Sequence, residues 1–376
     1  MSEQSLRARG LGIPFDGEPG AWNAITDVPG VEVGFCTLES GSGELVVGQG
    51  PVRTGVTAIL PRGRETRPHA VWAGQFDLNG NGEMTGTHWI RDAGYFHGPV
   101  CITNTHAVGI VHHAAVGWMT RHYADYFRAH HAWAMPVVAE TYDGLTNDIC
   151  GAHVREEHAL QALDAARSGP VAEGNVGGGA GMQTYEFKGG TGTSSRRVAI
   201  GDRRFTVGAL VQSNFGSRHE LMVRGVPVGQ HLTANALLTE LGGHEQGSVI
   251  VIIATDAPLL PVQLQRLARR GAMGIAHTGT TGGHYSGDIM LAFSVANPLY
   301  FPAIGEPQPD SFTLECINDA HIDALHAAAA QAVEEAVLNA LVAARSVPTV
   351  KPAGRVLEAI DHEQLKAVLR RYGRLS

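Results

Sequence analysis

The sequence predicts an α/β protein built as a four-layer αββα sandwich, two packed sheets each covered by helices. Three observations point there. Apolar, β-branched runs of strand length come in groups, segments with helical spacing come in groups between and after them, and several strands are apolar on both faces, as strands buried between layers are. A strict alternation of strand and helix fits less well, and strand order is not set by these patterns.

In chain order, the strand runs are Val31–Cys36, Val56–Leu60, Ala70–Phe76, Val100–Thr103, Pro136–Thr141, Phe205–Gln212, Val249–Ala254 and Ile289–Val295. Helical spacing predicts helices over His106–Phe127, Arg155–Arg167, Gly229–Leu241 and Pro261–Arg270, the last ended by Gly271 as a C-cap. The longest helix is expected over Ala320–Ala344, with Asn318 and Asp319 as N-cap candidates. No internal repeat or long linker divides the chain, so residues 1–376 are read as one domain.

The bulk numbers narrow the function classes. A chain of 376 residues buries a large core without staples. The 48 glycines exceed the usual share of roughly 7% and cluster at the ends of apolar runs, where sharp connections are needed. The net charge of −8 and the scattered arginine pairs lack the basic, aromatic-interleaved footprint of a nucleic-acid binder. No apolar stretch reaches membrane-spanning length and the first residues lack a signal-type apolar core, so a cytoplasmic location is expected. Cys36, Cys101, Cys150 and Cys316 are too widely spaced for a metal or redox motif and read as buried or half-buried thiols.

The common catalytic signatures fail. The run Gly174–Met182 is glycine-rich but out of register for a dinucleotide fingerprint and lacks a P-loop lysine, so it reads as a shaped loop lining a pocket. The 19 histidines include no HExxH pattern, and pairs such as His112-His113 point apart, so neither metal nor organic cofactor is expected. No serine sits in a nucleophile elbow.

The junction at Gly247-Ser248 is different. A polar, glycine-rich stretch from Gly242 ends at one serine, and the apolar strand Val249–Ala254 begins at the next residue. A strand pins such a serine, while the loop before it can be strained and then leave. Attack of the hydroxyl on the preceding carbonyl gives an ester, and its hydrolysis leaves a serine whose own amine, with an ordinary pKa of about 7.7–8.0, serves as general base. Taken alone, the pattern also fits an ordinary turn before a strand.

Ordered blocks along nearly the whole chain add to this reading. They are Ile25-Thr-Asp-Val-Pro-Gly-Val-Glu-Val-Gly34, Thr103-Asn-Thr-His-Ala-Val-Gly109, Ala139-Glu-Thr-Tyr-Asp-Gly144, Glu173–Met182, Val211-Gln-Ser-Asn214, Gly247-Ser-Val-Ile-Val251, Arg269–Gly274 and Ser286–Ser294. Together they resemble the L-aminopeptidase/D-amidase/D-esterase and β-aminopeptidase family, peptidase family S58, whose members are N-terminal-nucleophile-like. The resemblance implies self-cleavage into an α polypeptide, 1–247, and a β polypeptide, 248–376, that stay associated, as a rule in a homotetramer. Ser248 resembles the nucleophile, and Ser286 and Asp288 the serine–acid pair supporting it. Some relatives carry glutamate where Asp288 stands. Asn214 resembles the oxyanion-hole asparagine and Tyr142 the active-site tyrosine, a donor to the oxyanion or the substrate. Asn104 and His106 are read as a helix cap or pocket wall.

The implied activity is release of small N-terminal residues of the alanine, glycine or β-alanine type from short peptides, amides or esters. Glycine before the cut, as in the L-aminopeptidase/D-amidase branch, tilts the expectation toward α-amino substrates. An acyltransferase of the ornithine acetyltransferase type shares this logic but has threonine at the cut. An uncleaved, inactive binding relative would keep one intact polypeptide.

Overall fold

The structure, a computed structural model, describes residues 6–65, 67–242, 247–300, 304, 307 and 309–375. Its strands are β1 (Glu32–Ser40), β2 (Val52–Leu60), β3 (His69–Gly80), β4 (Tyr95–His97), β5 (Val100–Asn104), β6 (Val137–Thr141), β7 (Gln183–Thr184), β8 (Phe187–Lys188), β9 (Gly190–Ile200), β10 (Arg203–Asn214), β11 (Ser248–Thr255), β12 (Gly287–Tyr300), β13 (Val347–Val350) and β14 (Ala353–Leu357). The α-helices are α1 (Thr87–Ala93), α2 (Val108–His122), α3 (Ala124–Ala129), α4 (Glu156–Asp164), α5 (Leu237–Glu240), α6 (Pro261–Ala276), α7 (Asp323–Val342) and α8 (His362–Arg371).

Two sheets carry the fold. One has the order β1-β2-β5-β6 and the other β4-β3-β12-β11-β10-β9. Ile59, Ile102 and Ala139 of the first meet Leu210, Ile250, Ile252, Leu291 and Phe293 of the second in a core between the sheets. Outside the first sheet, α2 and α4 bury Val111, Trp118 and Leu163 against Val56 and Val138. Outside the second, α6 and α7 bury Leu264, Leu267, Val333 and Val337 against Val207, Val251 and Met290. These contacts make the expected four αββα layers. None of the described helices is long and apolar enough to cross a membrane.

β11 lies at the centre, antiparallel to β10 and parallel to β12. All eight of its residues are buried. Burying each of Val249, Ile250, Val251, Ile252 and Ile253 contributes about 1.5–3 kcal/mol, so this strand is a rigid platform for the residue that begins it.

Four expectations are corrected. The strand β9, Gly190-Thr-Gly-Thr-Ser-Ser-Arg, is absent from the apolar runs because α7 lies directly on it. A Cβ at Gly192 would come within 2.8 Å of the Ala340 nitrogen, and Ser194 Oγ donates to Ala332 O at 2.6 Å. Gly271 does not end α6, which runs on to Ala276; a Cβ at Gly271 would sit 3.0 Å from Met290 Cγ, so the glycine permits close packing on the sheet. The helix expected over Gly229–Leu241 is reduced to a turn at Val228–Gln230 and the short α5, with Asn235 at a φ of 54° between them. Cys150 and Cys316 are exposed, whereas Cys36 and Cys101 are buried.

Candidate active site

Ser248 is the first residue of β11 and is 3% exposed. Side chains alternate along a strand, so Ser248 shares a face with Ile250 and Ile252, which fill the core between the sheets. At this end of the strand that core gives way to a cavity of about 460 Å³. Gly247 and Ser248 form one part of its wall, Glu140 of β6 with Thr105 and Tyr142, which directly follow β5 and β6, another, and Asn81, Gly82, Glu83 and Tyr285 the rim.

Asn214, the last residue of β10, is in register with Ser248 across the antiparallel ladder. Its Nδ2 lies 3.4 Å from Ser248 Oγ. The Gln183 N–H donates to Asn214 Oδ1 at 2.9 Å, which turns the NH₂ group toward the serine. Ser286 and Asp288 flank Gly287, the residue in register with Ser248 on β12. Ser286 Oγ donates to Asp288 Oδ1 at 2.6 Å, and Asn79 Nδ2 donates to Asp288 Oδ2 at 3.0 Å. Asp288 is therefore not a water-exposed strand-start carboxylate. Burial pushes its pKa up, against the opposing effect of those two hydrogen bonds. Among the described residues, Ser248 Oγ is hydrogen-bonded to Asn214 and not to the Ser286–Asp288 pair.

Tyr142 is 45% exposed and lines the cavity, its ring folded over Gly144. The five sequence-predicted side chains thus gather at one end of β11, with Ser248 and Tyr142 facing the cavity and the others behind it. Glu140 was missed by sequence reasoning. A carboxylate within the buried run of β6 is the signal that marks it. It accepts from Thr105 Oγ1 and, at 3.0 Å, from the Glu83 N–H. Burial raises its pKa, those hydrogen bonds lower it, and the nearby Glu83 charge raises it again. No lysine, arginine or histidine is among the described residues of the wall, so the cavity is acidic and suits a substrate ammonium.

Gly247 has no left-handed φ. Strain of that kind is absent, and the glycine serves close approach instead, since a Cβ would lie 2.7 Å from Phe215 Cα. Positions 243–246 of the polar stretch before it lie outside the described residues. The glycine run Gly177–Gly181 does not line the cavity. It is a buried turn wedged against β2, where added Cβ atoms would meet backbone atoms or Gln212. Asn104 caps its turn by accepting the His106 N–H at 3.0 Å.

Known proteins resemble this chain over nearly its whole length. The model of peptidase family S58 matches residues 23–354. A β-peptidyl aminopeptidase BapA of Sphingosinicella microcystinivorans is 51% identical over all of this chain and 94% of its own length. One from Sphingosinicella xenopeptidilytica is 44% identical, over 97% and 91%. The structure of the L-aminopeptidase D-Ala-esterase/amidase from Ochrobactrum anthropi, a variant of the Ntn hydrolase fold, superposes with a TM-score of 0.92 at 52% identity, covering 99% of this chain and 100% of that one. A Burkholderia sp. β-aminopeptidase superposes with a TM-score of 0.88 at 46% identity, over 98% and 99%.

Proposed function

The chain belongs to peptidase family S58 and is a hydrolase of the aminopeptidase and amidase type, and we propose that it matures by cutting itself between Gly247 and Ser248. The observation that carries this reading is Ser248 itself, at the head of a wholly buried strand, on the wall of an acidic cavity, with an amide donor beside its Oγ. The cut frees the Ser248 amine, which takes the proton from Oγ as the hydroxyl attacks a substrate carbonyl. Asn214 Nδ2 donates to the oxyanion that forms, and Tyr142, on the same wall, donates to the oxyanion or bound substrate. Ser286 and Asp288 support the amine from the neighbouring strand. Glu140, with Glu83 at the rim, accepts the substrate's own ammonium, which selects substrates with a free N-terminus.

The two polypeptides, 1–247 and 248–376, stay together because the second sheet runs across the cut. β11 and β12 belong to the C-terminal piece, and they pair with β10 and β3 of the N-terminal piece. The substrates proposed are short peptides, amides or esters that begin with alanine, glycine or β-alanine. Gly247 favours the α-amino kind, and the likeness to β-peptidyl aminopeptidases favours the β-amino kind. A homotetramer in the cytoplasm is the proposed working form.

The test is a panel of alanine, glycine and β-alanine anilides, each free and N-acetylated. Free amines should be released and acetylated ones spared. Equal hydrolysis of both would remove Glu140 and Glu83 from recognition and point to an amidase that does not read the free N-terminus.

A further inference from the structure

Self-cleavage and turnover each pass through an oxyanion, and the geometry of the ladder points to a different donor for each. We propose that the backbone N–H of Gly287 is the oxyanion donor for the self-cleavage step, and that Asn214 serves substrate turnover alone. This rests on the self-cleavage reading above.

The Gly287 N–H donates to the Gly247 carbonyl oxygen at 3.1 Å, so the atom that would carry the negative charge already has its donor. The bond extends the parallel β11–β12 ladder one residue past Ser248, because Gly287 is in register with that serine. The Gly247 oxygen therefore points toward β12. Asn214 lies in β10, on the other flank of β11, with its Nδ2 at Ser248 Oγ. Among the described residues the Gly247 oxygen has its donor on one flank of β11, and the Asn214 amide makes its bond to Ser248 from the other. A substrate carbonyl, by contrast, arrives from the cavity and is free to meet Asn214.

The donor is held in place before reaction begins. Asn79 Nδ2 donates to Gly283 O at 3.1 Å, Asn81 Nδ2 to Tyr285 O at 2.6 Å, and Ser286 N to Gly283 O at 2.9 Å, which braces the turn leading into Gly287. A Cβ at position 287 would run into the Asn81 carbonyl and approach Gly82 Cα at 3.2 Å, so the missing side chain lets this brace close. A rigid donor at the site of developing charge needs no reorganisation during reaction.

The step balances as follows. Ser248 Oγ bonds to the Gly247 carbonyl carbon, its proton leaves, and the carbonyl electron pair moves onto the oxygen facing the Gly287 N–H. The pair returns, the bond from Gly247 carbon to Ser248 nitrogen breaks, and the proton ends on that nitrogen. Water then hydrolyses the Gly247–Ser248 ester, freeing the hydroxyl and leaving Gly247 as a carboxylate.

The experiment follows the cutting rate of full-length precursors with the Gly287 amide replaced by an ester, through glycolic acid placed at 287 by nonsense suppression, and with Asn214→Ala. Thermal melting checks that each is folded. The ester precursor should cut about 10²–10³-fold more slowly than wild type, and Asn214→Ala within about threefold of it, while cleaved Asn214→Ala turns over substrate about 10²–10³-fold more slowly. An ester precursor that cuts at the wild-type rate overturns the inference. So does a folded Asn214→Ala chain that fails to cut, an outcome that decides the matter even if the ester variant does not fold. A wild-type chain that stays whole overturns the self-cleavage reading and this inference with it.

Discussion

Replacing Asn214 with alanine removes two contacts of different kinds, and the structure assigns each a separate readout. The lost Nδ2 lies 3.4 Å from Ser248 Oγ, on the side where, in the proposed reaction, the oxygen of an attacked substrate carbonyl takes on charge in the tetrahedral intermediate. A single oxyanion donor is worth about 10²–10³ in kcat, on the order of 2.7–4 kcal/mol, with little effect on KM because the contact belongs to the transition state. The lost Oδ1 is the acceptor of the buried Gln183 N–H, at 2.9 Å. Leaving that donor unpaired costs roughly 1–3 kcal/mol of stability. The variant should therefore melt lower and turn over slowly, with KM close to wild type. The assay is steady-state hydrolysis of alanine anilide by the fully cleaved fraction, paired with thermal melting. A variant that melts lower, keeps its kcat and only binds more weakly would refute the donor role and make Asn214 a pocket wall.

Three further outcomes follow from the packing and charges. On the proposed mechanism activity needs Glu140 ionised and the Ser248 amine neutral; because burial raises the Glu140 pKa, the acid limb of kcat/KM should lie above the ordinary carboxylate range, and Glu140→Gln should remove that limb while leaving the one near pH 8 set by the amine. Asp143 is fully buried and its pKa is pushed up to about 7 by desolvation, so its contribution to stability is complete below about pH 4 and lost as pH rises through 7. Asp143→Asn should accordingly gain on wild type between pH 4 and 8 in chemical denaturation, and an unchanged difference would mean that the nearby buried Lys188 keeps the carboxylate charged. Gly274 lies where α6 crosses α7, and a Cβ would fall 2.6 Å from Val333 Cβ; Gly274→Leu should cost at least about 1–3 kcal/mol in the same assay.

What was legible in the sequence follows from physics that acts locally. β10, β11 and β12 announce themselves because a central strand buried on both faces must be apolar throughout, and Ser248 stands out as the polar residue that opens one. β9 was hidden because its face is defined by what lies on it. A helix backbone pressed against Gly192 and Ser194 selects small polar residues, which look like a loop when read alone. Gly271 and the run Gly177–Gly181 misled for the same reason, since close approach between distant segments and a local turn both select glycine. The helix α8, capped where Asp361 accepts the Gln364 N–H at 2.9 Å, carried a capping signal that was passed over. At the site, Ser248 was singled out by the junction it forms with Gly247, and Asn214, Ser286, Asp288 and Tyr142 through the family resemblance. Glu140 was not, because its meaning depends on Thr105 and Glu83, which only the fold brings to it.

The central claim is that Ser248 cuts the chain and then works as its new N-terminus. Intact-mass analysis with N-terminal sequencing of the purified protein tests it directly. Wild type should give two polypeptides, one ending at Gly247 and one beginning at Ser248, without added protease, and Ser248→Ala should give a single uncut, inactive chain. A Ser248→Ala protein cut like wild type, or an uncut wild-type protein that hydrolyses alanine anilide, would contradict it.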